Sequence, residues 1–259
     1  RDLPDLVVQA PSAGDVEVAL GLLDAGHAPV LVVLGAVDAE GDPGPAGADS
    51  PGHRVGDEAL DRARLGSPGD GAQLAHARIG VIQDALNGVK GLKRPRALIL
   101  FNYGEGNIKT SGSNFYGQYW LESTGAVNVA SELSGVADIN MEQIYAWDPD
   151  IIYITNFSRH MPEDLYENAI PGHDWSTVRA VRERKVYKFP LGMYRWYPPA
   201  SDTPLVLKWL AKKNQPELFA DVDMDAEVRA YYKRFYNLDL TDEDLRNIFN
   251  PAREAANAK

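Results

Sequence analysis

Residues 139–155, with the sequence INMEQIYAWDPDIIYIT, decide how the second half of the chain folds. The stretch predicts a short helix over residues 139–146, which Pro149 ends because proline cannot continue a helix. Residues 151–155 form a continuous apolar run, which is typical of a parallel strand covered on both faces. A helix that leads into a buried strand is the repeating unit of an α/β fold.

The same alternation continues on both sides of this stretch. Strands are predicted at 97–101 and 186–189, with a short extended piece at 126–130. Residues 104–112, rich in Gly and Ser, are predicted as a loop, after which Ser113 or Asn114 caps a helix running to about residue 124. Further helices are predicted at 204–213, 225–236 and 241–249. The fold class is therefore α/β, with mainly parallel sheets.

The first hundred residues follow a different compositional rule. They hold 15 of the 23 Gly, and none of the 7 Phe, 5 Trp and 12 Tyr precedes Phe101. Residues 5–34 predict strand, helix and strand, with strands at 6–8 and 30–34 and a helix at 16–23. Breaker-rich segments follow, and a helical pattern returns only at 72–89.

Composition excludes several classes of protein. The chain has 259 residues, and 26 Lys and Arg against 37 Asp and Glu give a net charge of −11, which disfavours general nucleic-acid binding. Because the chain has no Cys, it has no disulfide, thiolate metal site or cysteine nucleophile. No apolar run approaches the roughly 18 residues that a membrane helix needs.

Catalytic and metal-binding motifs are also missing. The segment 104–110 resembles a phosphate loop, but Ile108 stands where the residue before the lysine should be Gly. None of the five His has a partner at zinc-hydrolase spacing, and there is no Gly-x-Ser-x-Gly nucleophile elbow. The sequence therefore predicts neither an enzyme nor a resident metal or cofactor.

What remains is a set of loops that follow predicted strands. In open parallel sheets, ligands bind outside the carboxyl ends of the strands, where all three of these loops begin. Their aromatic, amide and cationic side chains suit recognition of an anion or a flat polar complex. The candidate binding residues are Tyr103, Ser113, Asn114, Asn156, Arg159, Tyr194, Arg195 and Trp196.

Residues 94–250 resemble the substrate-binding proteins of ABC importers for iron complexes, haem and cobalamin. The resemblance is carried by Trp147-Asp148-Pro149-Asp150-Ile151-Ile152, by Gly125-Ala126-Val127-Asn128-Val129-Ala130 and by Lys185-Val186-Tyr187. Residues 192–199, with the sequence GMYRWYPP, resemble a branch that includes molybdate and tungstate binders.

The resemblance implies two α/β lobes joined by a long helix. On this view, residues 1–71 are a partial or atypical N-terminal lobe, 72–93 the joining helix, 94–250 the C-terminal lobe and 251–259 a tail. Residues 35–71 match no part of the family pattern. Either the N-terminal lobe is incomplete or the sequence of this segment is misread.

The resemblance also implies a function, which is capture of a small anionic metal species between the lobes and delivery to a membrane permease. For molybdate or tungstate, Arg195 supplies a fork of donors, and Tyr194, Ser113 and the amides near Asn114 add hydrogen bonds. For a ferric chelate, four aromatic side chains stack on the organic shell, namely Trp196, Tyr197, Tyr103 and Phe157, while Arg195 or Arg159 offsets its charge. A monomer in the periplasm is expected. The alternatives are a metal-chelatase-like enzyme on a two-lobed scaffold and an interaction domain without a small ligand.

Overall fold

The computed structural model describes residues 70–104 and 107–257. The strands and helix predicted within residues 5–34, and nearly all of the proposed N-terminal lobe, lie outside the described residues. Within the described part, no helix combines the length and the apolar character needed to cross a membrane.

Six strands and eight α-helices make up the described fold. The strands are β1 (Arg96–Gly104), β2 (Asn107–Ser111), β3 (Val127–Asn128), β4 (Val136–Ile139), β5 (Ile151–Ile154) and β6 (Val186–Lys188). The helices are α1 (Asp70–Asn87), α2 (Tyr116–Ser123), α3 (Met141–Trp147), α4 (Pro162–Tyr166), α5 (Arg179–Arg182), α6 (Thr203–Asn214), α7 (Met224–Tyr236) and α8 (Asp242–Phe249), with a final 3₁₀ turn at Arg253–Asn257.

The sheet has the strand order β4-β2-β1-β5-β6, and β3 pairs with the start of β1. Strands β1, β5 and β6 run parallel, so their carboxyl ends share one edge. Strands β2 and β4 extend the sheet in antiparallel pairing. The α/β class is confirmed, but the prediction of a loop over 104–112 is wrong, because Ile108 and Thr110 are buried along β2.

The start of α2 also differs from the prediction. The helix begins at Tyr116, and its N-cap, Phe115, makes no side-chain capping bond. Asn114 has a left-handed backbone with φ of 56°, and Ser113 Oγ donates to Leu133 O at 2.8 Å. The hydroxyl that was expected to cap α2 therefore ties its entry loop to the segment before β4.

Residues 139–155 connect helix α3 to strand β5 and are held by side-chain hydrogen bonds. Asn140 caps α3 through a capping box with Gln143. Asp148 and Asp150 both accept hydrogen bonds from the Arg179 guanidinium, at 2.9 and 2.7 Å. Asp150 also accepts from the backbone N–H of Arg96, at 2.9 Å, where β1 begins. The two aspartates therefore link the starts of β1, β5 and α5.

Two apolar cores cover the two faces of the sheet, as continuous apolar strands require. In β1, Ala97 and Ile99 face one core, while Leu98 and Leu100 face the other. Trp120, Trp147 and Trp209 are buried, as their helical positions predict. Helix α1 packs on the first core through Leu74, Ile82 and Leu86. Whether α1 joins two lobes stays a prediction.

Two helical glycines give a matched test of this packing. A Cβ on Gly117 in α2 would collide with Ser111 Oγ and come within 2.6 Å of Tyr197 Oη, whereas one on Gly80 in α1 would meet nothing within 4 Å. We expect Gly117→Ala to lower the free energy of unfolding by about 1–3 kcal/mol through overpacking. Gly80→Ala should raise it by about 0.5–1 kcal/mol, because alanine favours helix. Urea unfolding of both variants measures this, and a neutral Gly117→Ala would contradict the packing of α2.

Candidate functional site

The loops that follow β1, β5 and β6 meet at one edge of the sheet. Ser158 Oγ, after β5, donates to Tyr103 O at 3.0 Å near the end of β1. Asn156 Nδ2 donates to the carbonyls of Phe189 and Pro190, at 2.9 and 2.8 Å, after β6. Arg195 Nε donates to Asn156 O at 3.2 Å. The three predicted loops are therefore joined directly by hydrogen bonds.

A set of aromatic rings lies where these loops converge. Phe101 stands 5.7 Å from Phe115 and 5.2 Å from Phe157, between ring centroids. Phe115 contacts Tyr116 at 4.1 Å, and the Tyr194 ring is 46% exposed. The aromatic face is defined here as Phe101, Phe115, Tyr116, Phe157 and Tyr194, together with Arg195. Its four inner rings are half-buried, so they combine apolar support with accessible surface.

Arg195 places a cation on the aromatic face. Its guanidinium carbon lies 5.0 Å from the centre of the Phe157 ring and 5.7 Å from that of Tyr194. Nη2 also donates to Ala255 O at 3.5 Å, in the final 3₁₀ turn. An arginine stacked on aromatic rings keeps its charge and presents a planar donor fork, which suits oxyanions and anionic complexes.

A buried carboxylate holds the loop that carries Arg195. Asp202 is 1% exposed, and its Oδ2 accepts from Met193 N at 2.9 Å, Tyr232 Oη at 3.1 Å and Trp196 Nε1 at 3.2 Å. Burial raises the pKa of Asp202, and these hydrogen bonds act in the opposite direction. Gly192 approaches this cluster so closely that a Cβ there would collide with Asp202 and Tyr232.

A buried lysine at the end of β6 holds the loop after β5 through hydrogen bonds to its backbone. Lys188 Nζ donates to Ser158 O at 2.5 Å and to His160 O at 2.9 Å. Burial lowers the pKa of Lys188 to about 7, and nearby Arg253 adds to the shift. Arg253 in turn donates to Asp164 and to Arg159 O, so the end of the described chain also fastens this loop.

The predicted site residues fall into distinct environments. Arg195 and Tyr194 lie on the aromatic face. Arg159 and Asn114 are exposed, and they are close in sequence to Phe157 and Phe115, respectively. Tyr103 and Trp196 are buried, at 1% and 0% exposed. Tyr103 Oη contacts His173 Nδ1 at 2.5 Å and accepts from Trp175 Nε1 at 3.0 Å, and burial raises its pKa to about 12.

Two predicted polar residues act within the fold. Asn156 is 1% exposed, and its amide N–H groups donate hydrogen bonds to backbone carbonyls after β6. The side chain of Ser113 bonds Leu133 O. Asn156 thus positions the site loops, and ligand contact by either residue stays a prediction.

Three members of the aromatic face were not predicted from the sequence, namely Phe101, Phe115 and Tyr116. The available signal was the cluster of aromatic residues that begins at Phe101 and flanks the start of α2. Among the described residues, no group of three His, Asp or Glu side chains lies close enough to hold a metal ion.

Residues 71–191 match the family described as periplasmic binding protein. The resemblance that the sequence shows to this class of substrate-binding proteins is thus confirmed. The matched family and relatives are solute-binding proteins and not enzymes, which agrees with the sequence prediction.

Particular relatives match over part of their length. The molybdate-binding protein MolA of Haemophilus influenzae is 30% identical over 170 residues, which cover 63% of this chain and 45% of MolA. A periplasmic solute-binding protein of Veillonella parvula has a TM-score of 0.63 and 32% identity over 72% of this chain and 54% of its own. CeuE of Helicobacter pylori, solved with Ni(II) bound, has a TM-score of 0.56 and 28% identity over 74% and 58%. The chain spans about half the length of these relatives.

The Asp202 cluster predicts a measurable cost of loosening the Arg195 loop. Asp202→Asn removes the negative charge and one of the two acceptor oxygens, so at best a neutral carbonyl oxygen accepts from the three donors. We expect a loss of about 2–3 kcal/mol in the free energy of unfolding, as for a hydrogen-bonded charged group. Asp239→Asn is the control, because Asp239 forms only an exposed pair with Lys233 and should change stability by less than about 0.5 kcal/mol. Equal effects in urea unfolding would contradict the role of Asp202.

Proposed function

We propose that this chain acts as a substrate-binding component of an ABC importer. In the periplasm, it captures a small anionic metal species on the aromatic face. It then delivers this species to a permease in the membrane. The observation that carries the proposal is Arg195 stacked over Phe157 and beside Tyr194, at the carboxyl ends of three parallel strands. The work is capture, with no bond made or broken.

The chemistry of the aromatic face supports an anionic ligand. A guanidinium donor fork pairs with an oxyanion in fixed geometry, and surrounding rings lower the local dielectric, which strengthens that attraction. The rings of Phe101, Phe115 and Phe157 also offer apolar surface to the organic shell of a metal chelate. The relatives agree with this range, since one is named as binding molybdate and another was solved with nickel.

The ligand class can be tested directly on the purified protein. Thermal unfolding is measured with molybdate, tungstate, a ferric siderophore, haem and cobalamin, and elemental analysis measures Mo, W and Fe per chain as purified. A ligand present at about 100 times its dissociation constant should stabilise the native state by about 2.7 kcal/mol. We expect such a shift with at least one anionic metal species. No shift with any of them would favour an interaction domain instead.

Arg195 gives the sharper test of where the ligand sits. If the ligand is an oxyanion, Arg195→Ala should cost about 2–5 kcal/mol of binding free energy, as for a lost partner in a charged pair. Arg195→Lys keeps the charge but loses the planar fork, so it should bind with intermediate affinity. Isothermal titration calorimetry with molybdate or tungstate measures both.

The control for this series is Arg182→Ala, an exposed arginine on α5 that takes no part in the aromatic face. Its affinity should equal that of the unaltered protein. If Arg195→Ala keeps oxyanion affinity within about twofold, Arg195 does not bind the ligand. Folding of each variant is verified by its urea midpoint before affinities are compared.

A further inference from the structure

A second concave site lies beside the outer edge of the sheet, away from the aromatic face. Strand β6 is the last strand in the sheet order, and a cavity of about 500 Å³ runs along it. Helices α4, α6, α7 and α8 contribute its walls. Volumes of this size are typical of small-molecule sites. None of the residues of the aromatic face lines this cavity, which we name the β6 groove.

Cations without carboxylate partners surround the β6 groove. Arg184, Lys212 and Lys213 line it, and among the described residues none of them forms an ion pair. Arg184 lies 4.6 Å from the centre of the Tyr166 ring, and Lys213 lies 4.5 Å from that of Tyr187. Lys212 donates to the backbone carbonyls of Ala220 and Val222.

The groove gathers positive charge in a chain whose net charge is −11. Its cations differ from Lys109 and Lys185, which pair with the nearby carboxylates of Asp138 and Glu183. Two carboxylates, Glu163 and Asp225, also line the groove, but neither is within 4 Å of its cations. The three cations Arg184, Lys212 and Lys213 therefore outnumber the two acids that line the groove.

The surroundings of the Lys213 ammonium favour a negatively charged ligand in the groove. It is half-buried, and burial together with neighbouring Lys212 lowers its pKa. A bound anion would offset both effects, since an opposite charge nearby favours the charged form. Trp209, Tyr187 and Phe249 line the same space and would contact an apolar body joined to that anion.

The edge of β6 itself is closed to an added strand. Tyr166 Oη lies 3.0 Å from both the N–H and the carbonyl oxygen of Val186, on the side away from β5. An extended peptide that paired with this edge would have to displace Tyr166. The groove therefore suits a compact ligand better than a peptide strand.

We propose that the β6 groove binds a small organic anion, with a carboxylate or phosphate held by Arg184, Lys212 and Lys213 and an aromatic or aliphatic body against Tyr187 and Trp209. This site is separate from the aromatic face and does not depend on the function proposed for it.

Three probes separate the two parts of this recognition. Phenyl phosphate carries both a ring and an anion, inorganic phosphate carries the anion alone, and benzyl alcohol carries the ring alone. Each is titrated into the full ¹⁵N-labelled chain at fixed ionic strength while the indole N–H resonances are recorded by NMR. Trp209→Phe identifies the Trp209 resonance. We expect phenyl phosphate to shift it with a dissociation constant below about 1 mM, and the other two probes to bind at least fivefold more weakly.

Charge variants locate the binding. Lys213→Met and Arg184→Gln should each weaken phenyl phosphate binding by at least about tenfold, as expected for the loss of one charge-assisted hydrogen bond. Lys185→Met is the matched control, because it removes one positive charge from the same loop outside the groove. It should leave the affinity unchanged, and so should Arg195→Ala on the aromatic face.

The result overturns the proposal if phenyl phosphate leaves the Trp209 resonance unmoved, or if Lys185→Met weakens binding as much as Lys213→Met does. Loss of binding in Arg195→Ala with retention in Lys213→Met would also overturn it, because the probe would then occupy the aromatic face. Failure of the β6 groove in these ways leaves the molybdate and chelate titrations at Arg195 unaffected.

Discussion

The geometry of the candidate site depends on Asn156, whose side chain connects the loop after β5 to the loop after β6. It is buried just after β5, and its amide donates to two consecutive carbonyls after β6. The backbone carbonyl oxygen of Asn156 accepts from Arg195 Nε. One residue thus connects the end of one strand with the loop that follows its neighbour. Because Arg195 reaches its position over Phe157 through this contact, loss of the tie would separate the cation from its aromatic support.

Aromatic residues divide into three roles that depend on their surroundings. Trp120, Trp147 and Trp209 fill the cores from helices. Trp196 and Tyr232 close around the Asp202 carboxylate and hold the Arg195 loop. The rings of the aromatic face remain partly exposed where the parallel strands end. The concentration of aromatic residues after position 100 therefore serves both the packing of this sheet and its candidate recognition surface.

The positively charged side chains also divide into two groups, those paired with carboxylates within the fold and those that line the β6 groove. Arg179 is bound by Asp148 and Asp150, which links the starts of two strands to a helix. Arg253 is bound by Asp164, which fastens the loop behind Phe157. The Arg253 pair therefore supports a site loop, whereas the Arg179 pairs lie at the opposite ends of the strands. The cations of the β6 groove have no such partners among the described residues, and for that reason their charge is available to a ligand.

The sequence by itself determined the α/β class, strands β1, β5 and β6, helices α2, α3, α6, α7 and α8, and the three loops that form the candidate site. Apolar runs, prolines and the Asn140 cap are local signals, so they place these elements within a few residues. Local signals failed at β2, because its Gly- and Ser-flanked segment is held as a strand only by pairing with β1 and β4.

Only the tertiary structure decided which side chains of those loops face outward. Tyr194 and Trp196 alternate with Arg195 in sequence, yet Tyr194 is 46% exposed and Trp196 is fully buried. The difference arises because the Trp196 indole donates to Asp202, six residues further on, and packs against Phe249, which is distant in sequence. Burial at a loop is set by partners from other elements, and no periodicity within the loop can reveal them.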